Sequence, residues 1–354
     1  MSGPERLART LRRRFTTLVA HPDAYERRVL DECAPFPEGD LLPFVFPMMG
    51  FSSAIAREPA LRGDLVPPAT SLAESAVRSV TLRFCPPNER LEDLESYEHE
   101  GVYLGQLAMA LAFFRLMGGD GRFEPLRAHL VRLLRQALDQ TGAEPLDSFP
   151  GISWPFDTVP PVLALHLDDR ITGTSGHAAV VAAHLQWMRG AGTEPATHLP
   201  WAHLDHRGAP QPPRGCDLGY RIPLLALIDR PYAREMYAHF CRSHWLERGV
   251  AAGFAEWPGG LPLGADADSG PILFGIGLAA TGFGIAAAHV AQDGWRTWRL
   301  LSQLAGARGI LALARPLVRT EYAFDRRYIT GTLMGDASLF GTIALEVPAR
   351  CEPR

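Results

Sequence analysis

The sequence predicts an all-α protein whose helices form an α/α toroid, an inner ring of helices wrapped by an outer ring. About ten to twelve helical segments follow one another, separated by loops rich in Pro and Gly. Segments almost free of charge (101–117 and 272–289) alternate with amphipathic ones (123–140 and 232–247). A helix that is apolar all round is buried, whereas one with a polar face lies outside. No series of β-branched strands alternates with the helices, which disfavours a parallel-sheet α/β fold.

The N-terminal part of the chain differs from the rest. Residues 5–32 are typical of a charged amphipathic helix or arm, and residues 41–56 are apolar and interrupted by prolines. We therefore divide the chain into an N-terminal helical arm, residues 1–65, and a single toroid domain, residues 66–354. An irregular helical bundle or a solenoid is the alternative architecture, although exact repeats are absent.

The predicted helices of the toroid end at clear stop signals. Pro86 and Pro87 end the first helix, and Gly118 and Gly119 end the second. The full set of predicted helices is 69–84, 101–117, 123–140, 157–167, 176–189, 218–228, 232–247, 272–292, 295–313 and 332–345.

Composition excludes several classes of chemistry. Of the 354 residues 47% are apolar and the net charge is −4, which suits a large core and does not suggest a nucleic-acid surface. The sequence contains no lysine, so its 35 basic residues are all arginine. A Schiff-base lysine, a pyridoxal-phosphate lysine and a phosphate-loop lysine are therefore excluded. We expect no cofactor.

The five cysteines show no C-x-x-C spacing, so neither a disulfide framework nor a structural zinc site is indicated. The basic N-terminus lacks the apolar core of a signal peptide. The best membrane candidate, 41–56, is too short to span a bilayer and contains Pro43 and Pro47. We expect a cytoplasmic protein without an integral membrane span.

One stretch, residues 254–289, organises the chain. Its first half is a loop that places Glu256, Asp266 and Asp268 among glycines and prolines, and its second half is an apolar run without a charge. Asp268, followed by Ser, Gly and Pro, has the pattern of a helix start, where the helix dipole favours charged carboxylates. Asp268 could equally serve only as a helix cap.

Acidic and aromatic residues also gather before the other predicted inner helices. In a toroid the loops at one end of the inner ring surround a funnel, so such segments are expected to meet there. Four share this layout and a fifth resembles them: 97–103, 149–157, 214–221, 256–269 and 328–336. Because inner helices run parallel to one another, Asp157, Asp217 and Asp268 should ring a common opening.

We expect Asp157 or Asp268 to act as general acid or base, with His99 and Tyr220 orienting groups or relaying protons. Aromatic neighbours would desolvate these carboxyls and raise their pKa, and aromatic faces could stabilise a developing cation. The remaining candidates are substrate-binding residues: Tyr97, Tyr103, Trp154, Phe156, Cys216, Asp217, Arg221, Glu256, Trp257, Asp266 and Phe283.

Structural roles compete with these functional ones. Asp157 and Asp217 could be helix caps, and Arg221 could neutralise Asp217 across one helical turn. Cys216 could be an inert buried thiol. Asp266 and Asp268 could hold a divalent cation, but two acids without a third are too few, so we expect no metal site.

Four segments resemble a known family: H-E-G-V-Y-L-G-Q-L-A-M-A-L (99–111), F-P-G-I-S-W-P-F-D-T-V (149–159), L-I-D-R-P-Y-A-R-E-M-Y-A-H-F (227–240) and D-A-D-S-G-P-I-L-F-G-I-G-L-A-A-T-G-F (266–283). They are similar to the bacterial family related to linalool dehydratase-isomerase. The resemblance implies an (α/α)6 toroid, a funnel-shaped hydrophobic site, cofactor-free addition and removal of water on a terpene alcohol, and a homo-oligomer.

This chain departs from that family at one point. The resemblance implies cysteines as well as a carboxylate in the active site, but the segment 149–167 contains no cysteine and carries Phe156 and Asp157 instead. The fold and the location of the site are therefore carried over, and the substrate is not.

The leading hypothesis is a cofactor-independent lyase or isomerase, of hydro-lyase or cyclase type, acting on a small hydrophobic substrate. A terpenoid or polyketide-like molecule of bacterial secondary metabolism would suit it. The first alternative is a carbohydrate-active toroid enzyme, a glycosidase or sugar epimerase that uses paired carboxylates. The second alternative is a non-catalytic helical ligand-binding protein.

Overall fold

The structure is a computed structural model that describes residues 2–36, 38–97, 101–205, 210–314 and 327–348. Thirteen α-helices lie in this part of the chain. In chain order they are α1 (Gly3–Val19), α2 (Pro22–Cys33), α3 (Leu42–Arg57), α4 (Arg62–Phe84), α5 (Gly101–Leu116), α6 (Glu124–Gln140), α7 (Val159–Thr172), α8 (Ala178–Arg189), α9 (Gly215–Leu225), α10 (Arg230–His244), α11 (Leu278–Val290), α12 (Gly294–Ala314) and α13 (Leu333–Thr342).

Six of these helices form a closed inner ring. Helices α3, α5, α7, α9, α11 and α13 each pack against the next, and α13 packs back onto α3. Helices α1, α4, α6, α8, α10 and α12 pack outside them. The inner helix α5 is buried nearly all round, whereas α1 and α6 each bury one apolar stripe and keep a charged face in water. The prediction of an all-α double ring is confirmed.

Glycines let the inner helices approach closely. A Cβ placed on Gly219 of α9 would lie 2.7 Å from the Cβ of Phe283 on α11. A Cβ on Gly105 of α5 would lie 2.5 Å from the ring of Pro161 on α7. Interiors are packed to crystal density, so neither position has room for a methyl group.

The predicted boundary at residue 65 falls inside α4, which runs from Arg62 to Phe84. Helix α3, which the sequence division placed in the N-terminal arm, is a member of the inner ring. Pro43 lies in the first turn of α3, where the N–H group that proline lacks would have no partner in the helix. Pro47 lies inside α3, and the dense packing of the buried side chains of this helix offsets the lost hydrogen bond. Among the described helices, none combines the length and the apolar character needed to cross a membrane.

Short antiparallel strand pairs lie in the loops between the helices. The paired strands are β1 (Ile152–Ser153) with β4 (Leu204–Asp205), β2 (Thr193–Glu194) with β3 (Leu199–Pro200), β5 (Trp245–Arg248) with β6 (Ala251–Phe254), and β7 (Ile272–Leu273) with β8 (Ile276–Gly277).

Several predicted helix starts were wrong: the helix predicted from residue 69 begins at Arg62, and the helix predicted from residue 218 begins at Gly215. The helix predicted from residue 272 begins at Leu278, because Phe274 (φ 53°) and Gly275 (φ 82°) form the turn of the hairpin β7–β8. A left-handed residue cannot continue an α-helix. The helix predicted from residue 157 begins at Val159, after a short 3-10 turn, Pro155–Thr158.

Candidate active site

A cavity of about 500 Å³ opens at the N-terminal ends of the inner helices. Helices α3, α5, α9, α11 and α13 contribute residues from their first turns, and the 3-10 turn before α7 completes the wall, so the positive ends of helix dipoles lie near the cavity. Most of the wall is apolar and aromatic: Phe36, Leu42, Phe46, Val102, Phe149, Trp154, Phe156, Leu278, Phe283, Met334 and Leu339. Such a wall excludes water and favours a small, largely apolar ligand.

The predicted acids Asp157, Asp217 and Asp268 all line this cavity. The sequence argument placed all three at the first residues of parallel inner helices. In the structure only Asp217 lies in the first turn of an inner helix, and the other two precede their helices. Asp217 lies in the first turn of α9, Asp157 lies in the 3-10 turn before α7, and Asp268 lies on a loop that lies against the cavity.

Asp157 is the most strongly perturbed of the three. Its side chain is 9% exposed, and Ser148 is its hydrogen-bond partner. Burial raises the pKa of Asp157 to about 7; Ser148 opposes the rise, and the charges of Asp268 and Asp217 add to it. A carboxyl of this kind is a proton donor near neutral pH. Asp157 is not the cap of α7, because Thr158 occupies that position.

Glu38 is a fourth carboxyl of the cavity, and sequence reasoning missed it. Burial raises its pKa to about 8, and repulsion from Asp157 and Asp268 adds to the effect. The signal was present, because Glu38 stands shortly before α3 just as the other acids stand before inner helices. It went unnoticed because residues 1–65 were assigned to an arm outside the ring.

Asp268 lies on a firmly anchored loop. It lines the cavity and keeps accessible surface, yet the surrounding protein desolvates its carboxyl and raises its pKa, with Asp266 adding repulsion. The backbone N–H groups of Asp266 and Ser269 donate to each other's side-chain oxygens, at 2.9 Å in both cases. The alternative reading of Asp268 as a helix cap is wrong, because Gly277 precedes α11.

Asp266 is held by Arg214, whose guanidinium donates to its Oδ1 at 2.7 Å. Burial works against the charged form, but Arg214 and the hydrogen bonds from Ser269 outweigh it and keep the pKa of Asp266 below its usual value. Asp266 therefore remains a charged anchor of the loop beside Asp268, whose pKa is raised.

Asp217 is neutralised by Arg221, as the structural alternative anticipated. The Nε and one terminal nitrogen of Arg221 donate to the two carboxylate oxygens, both at 2.8 Å, and both side chains are buried. Burial raises the pKa of Asp217 against the opposing charge of Arg221. Asp217 touches the cavity, whereas Arg221 lies behind it and completes the pair.

Cys216 also lines the cavity, but its thiol is engaged. Its Sγ donates to Oε1 of the buried Glu256 at 3.0 Å, and Arg214 donates to the same oxygen at 2.8 Å. Burial and the charge of Glu256 raise the pKa of Cys216 well above its usual value. A protonated, hydrogen-bonded thiol is a poor nucleophile. Glu256 itself is behind the wall.

Three predicted aromatic residues lie outside the cavity wall as described. Tyr97 donates its hydroxyl proton to the backbone carbonyl of Asp147, and Tyr103 donates to Oδ1 of Asp40 at 2.9 Å. Trp257 donates from Nε1 to the carbonyl of Gly264 at 2.8 Å and packs beneath Arg214. These residues brace the site from behind.

Tyr220, Trp154, Phe156 and Phe283 lie on the wall as predicted. The ring of Tyr220 packs between three aromatic rings, with centroid distances of 5.0 Å to Phe156, 5.3 Å to Phe283 and 5.3 Å to Phe46. His99 lies outside the described residues. Within the described part of the chain, no three His, Cys, Asp or Glu side chains are grouped so that they could hold a metal ion.

No sequence-family profile matches this chain, and no curated protein sequence matches it. Two solved structures share its fold. One is the GH76A α-1,6-mannanase from Salegentibacter sp. HEL1_6, with a TM-score of 0.53 and 13% identity over 86% of this chain and 89% of the other.

The second is an inactive variant of that enzyme, with two consecutive aspartates changed to asparagine, in complex with α-1,6-mannotriose. Its TM-score is 0.53 at 12% identity, with the same shares of both chains covered. This chain therefore has the (α/α)6 toroid fold, which these enzymes also have.

Proposed function

We propose that this chain is an enzyme that breaks a C–O bond of a small, largely apolar alcohol, with Asp157 as the general acid. The observation that carries the proposal is the position of Asp157, a buried carboxyl with a pKa of about 7 on the wall of an aromatic cavity. A catalytic acid works best when its pKa lies near the working pH.

In the proposed reaction the carboxylic acid of Asp157 donates its proton to the substrate hydroxyl. The C–O bond breaks, both of its electrons leave with the oxygen as water, and the carbon becomes positively charged. The faces of Phe156, Tyr220 and Phe283 lie around the cavity and would stabilise that charge.

A second carboxylate then removes a proton from the neighbouring carbon, and the C–H electrons form the double bond. Asp268 lines the cavity and interacts electrostatically with Asp157, which makes it the candidate for this base, whereas Glu38, with a pKa of about 8, keeps its proton under the same conditions. The products are an alkene and water. The second carboxyl then releases its proton to solvent and Asp157 takes one up from solvent, so no net proton is consumed. Readdition of water at another carbon, by the reverse steps, would yield an isomer of the alcohol.

The aromatic wall supports a terpene-like substrate. Both arginines at the site are already paired with carboxylates, so neither is available to an anionic ligand. Arg214 is bound by Glu256 and Asp266, and Arg221 is bound by Asp217. A neutral, mainly apolar molecule fits such a cavity better than an anion does.

Glycoside hydrolysis is the second candidate, and the fold comparisons favour it over the first. The two toroids described above are mannanases, and several carboxyls face the cavity here, as hydrolysis of a glycosidic bond requires. The consecutive aspartates of the inactive mannanase variant have no equivalent in this cavity. The only such pair in this sequence, Asp168 and Asp169, lies at the C-terminal end of α7, where Asp168 pairs with Arg127 and His177.

One panel separates the two candidates. The wild-type protein would be incubated with terpene alcohols and, separately, with α-1,6-mannobiose and related oligosaccharides, and alkenes and released sugars would be measured. The proposal expects alkene or isomerised alcohol, with a loss of roughly 10²–10⁴-fold in Asp157→Asn. Asp31→Asn, an exposed change on α2, is the matched control. Sugar release without alkene would establish the second candidate in place of the first.

A further inference from the structure

Gln106 is a buried polar residue of the cavity that the proposed reaction does not use. It lies in the second turn of α5, its side chain is 1% exposed, and it lines the cavity. The hydroxyl of Tyr220 donates to its Oε1 at 3.2 Å. Helix α5 packs directly against the 3-10 turn that carries Asp157, so the amide and the proposed acid belong to the same side of the site.

The orientation of the amide follows from Tyr220. Burial raises the pKa of the Tyr220 hydroxyl and the charge of Asp157 adds to the rise, so the phenol keeps its proton and donates it. The ring of Tyr220 is fixed between Phe46, Phe156 and Phe283. The Oε1 of Gln106 is thereby turned to Tyr220, and the NH₂ group is left on the other side of the amide.

That NH₂ group lacks an acceptor within the part of the chain that the structure describes. This Nε2 is not among the fully buried side-chain atoms without a partner, so it keeps a small accessible area, although Gln106 as a whole is only 1% exposed and lines the cavity. Apart from the carboxyls, the neighbouring wall offers mainly aromatic and aliphatic carbon. A ligand is therefore the natural source of the missing acceptor.

We propose that Gln106 binds the oxygen of the ligand through its Nε2–H group, and that Tyr220 is the positioning residue that aims the amide. The cavity would accordingly select molecules that carry a hydroxyl, ether or carbonyl oxygen on an apolar body. Resting on the proposed function, this assigns the substrate oxygen two donors, the amide of Gln106 and the acid of Asp157. The amide holds the oxygen while the acid protonates it.

The test measures binding, so that it does not depend on turnover. Citronellol and the hydrocarbon that lacks only its hydroxyl would be titrated by calorimetry into the wild-type protein and into the double variant Gln106→Met with Tyr220→Phe. Removal of both partners of a buried hydrogen bond leaves no orphaned group, so the double variant should fold. Gln186→Met, an exposed change on α8, is the control.

We expect the wild-type protein and the control to bind the alcohol about 10–100-fold more tightly than the hydrocarbon. The double variant should bind both with nearly equal affinity. An unchanged preference in a folded double variant would overturn the assignment of Gln106. If that variant does not fold, Tyr220→Phe alone decides, because loss of the aimed amide should weaken the alcohol preference and a purely structural role would not.

The same titration distinguishes this inference from the proposed reaction. A preference for the alcohol that depends on Gln106, without conversion of any alcohol to alkene or isomer, would refute the proposed lyase or isomerase and keep the oxygen-binding role. Conversion of the alcohol by a protein that binds alcohol and hydrocarbon equally well would refute the oxygen-binding role of Gln106 and keep the proposed lyase or isomerase.

Discussion

Replacement of Asp157 by Asn should change how the stability of the protein depends on pH. The native carboxyl has a pKa of about 7 instead of the ordinary 3.8, because burial disfavours its charged form. The folded state thus binds a proton that the unfolded state releases. The stability that this proton confers is fully present below pH 3.8 and is lost as the pH rises to about 7. Asparagine has nearly the same shape and does not titrate.

The size of the effect follows from the two pKa values. Each unit of pKa difference corresponds to about 1.4 kcal/mol. Because Asp157 ionises more readily in the unfolded chain, the free energy of unfolding falls, relative to low pH, by about 1.7 kcal/mol at pH 5 and by about 4 kcal/mol at pH 8. Between these two pH values the wild-type protein should lose about 2–3 kcal/mol relative to Asp157→Asn. Any fixed cost of the substitution cancels in this comparison.

The assay is urea unfolding of both proteins at pH 5 and pH 8, followed by circular dichroism. Asp31→Asn provides the baseline, because Asp31 is exposed on α2. The free energy of unfolding of this variant should match that of the wild-type protein at both pH values. A difference between the wild-type protein and Asp157→Asn that stays constant within about 0.5 kcal/mol would refute the reasoning, since Asp157 would then titrate alike in the folded and unfolded chain.

Three further results are expected. Arg221→Leu should lose about 3–5 kcal/mol in urea unfolding, because it leaves the buried Asp217 unpaired, and a loss below about 1 kcal/mol would contradict the importance of this pair. Cys216 should resist iodoacetamide at pH 8 until the protein unfolds, as read by mass spectrometry, whereas rapid labelling of the native protein would show a reactive thiolate. Dialysis against EDTA should leave turnover unchanged; a loss that Mg²⁺ or Ca²⁺ restores would make Asp266 and Asp268 metal ligands.

Much of the fold could be predicted from local patterns. Inner helices such as α5 are apolar all round and outer helices such as α6 are amphipathic, so their places in the two rings follow from hydrophobic periodicity. Gly and Pro set most helix ends within a few residues. The meeting of Asp157, Asp217 and Asp268 at one cavity was predicted from the parallel direction of the inner helices.

The errors arose where tertiary packing outweighs local signals. Pro47 suggested a broken segment, but α3 is held in the inner ring by contacts that no local rule contains. Glu38 was overlooked as a site residue for the same reason, because it stands just before α3. The sequence around Asp268 has the pattern of a helix start, yet the chain continues into a hairpin whose turn places Phe274 at a positive φ that bulky residues rarely adopt.

Side-chain pairing across the fold was equally inaccessible to sequence reasoning. Tyr103 was predicted to bind substrate, but its hydroxyl is bound by Asp40, 63 residues earlier in the chain. Gln106 drew no notice as one polar residue in an apolar helix, and only the contact with Tyr220 on α9 shows how its amide is turned. Spacing rules relate residues three or four apart and do not reach such pairs.

The most direct test of the central claim is the pH dependence of kcat for alcohol dehydration by the wild-type protein and Asp157→Asn. If Asp157 is the acid, the wild-type rate should be constant at low pH and fall about tenfold per pH unit above about pH 7, as the carboxyl loses its proton. Asp157→Asn should retain a rate roughly 10²–10⁴-fold lower without that decline. A variant that keeps near-normal turnover and the same decline above pH 7 would contradict the claim, because another group would then supply the proton.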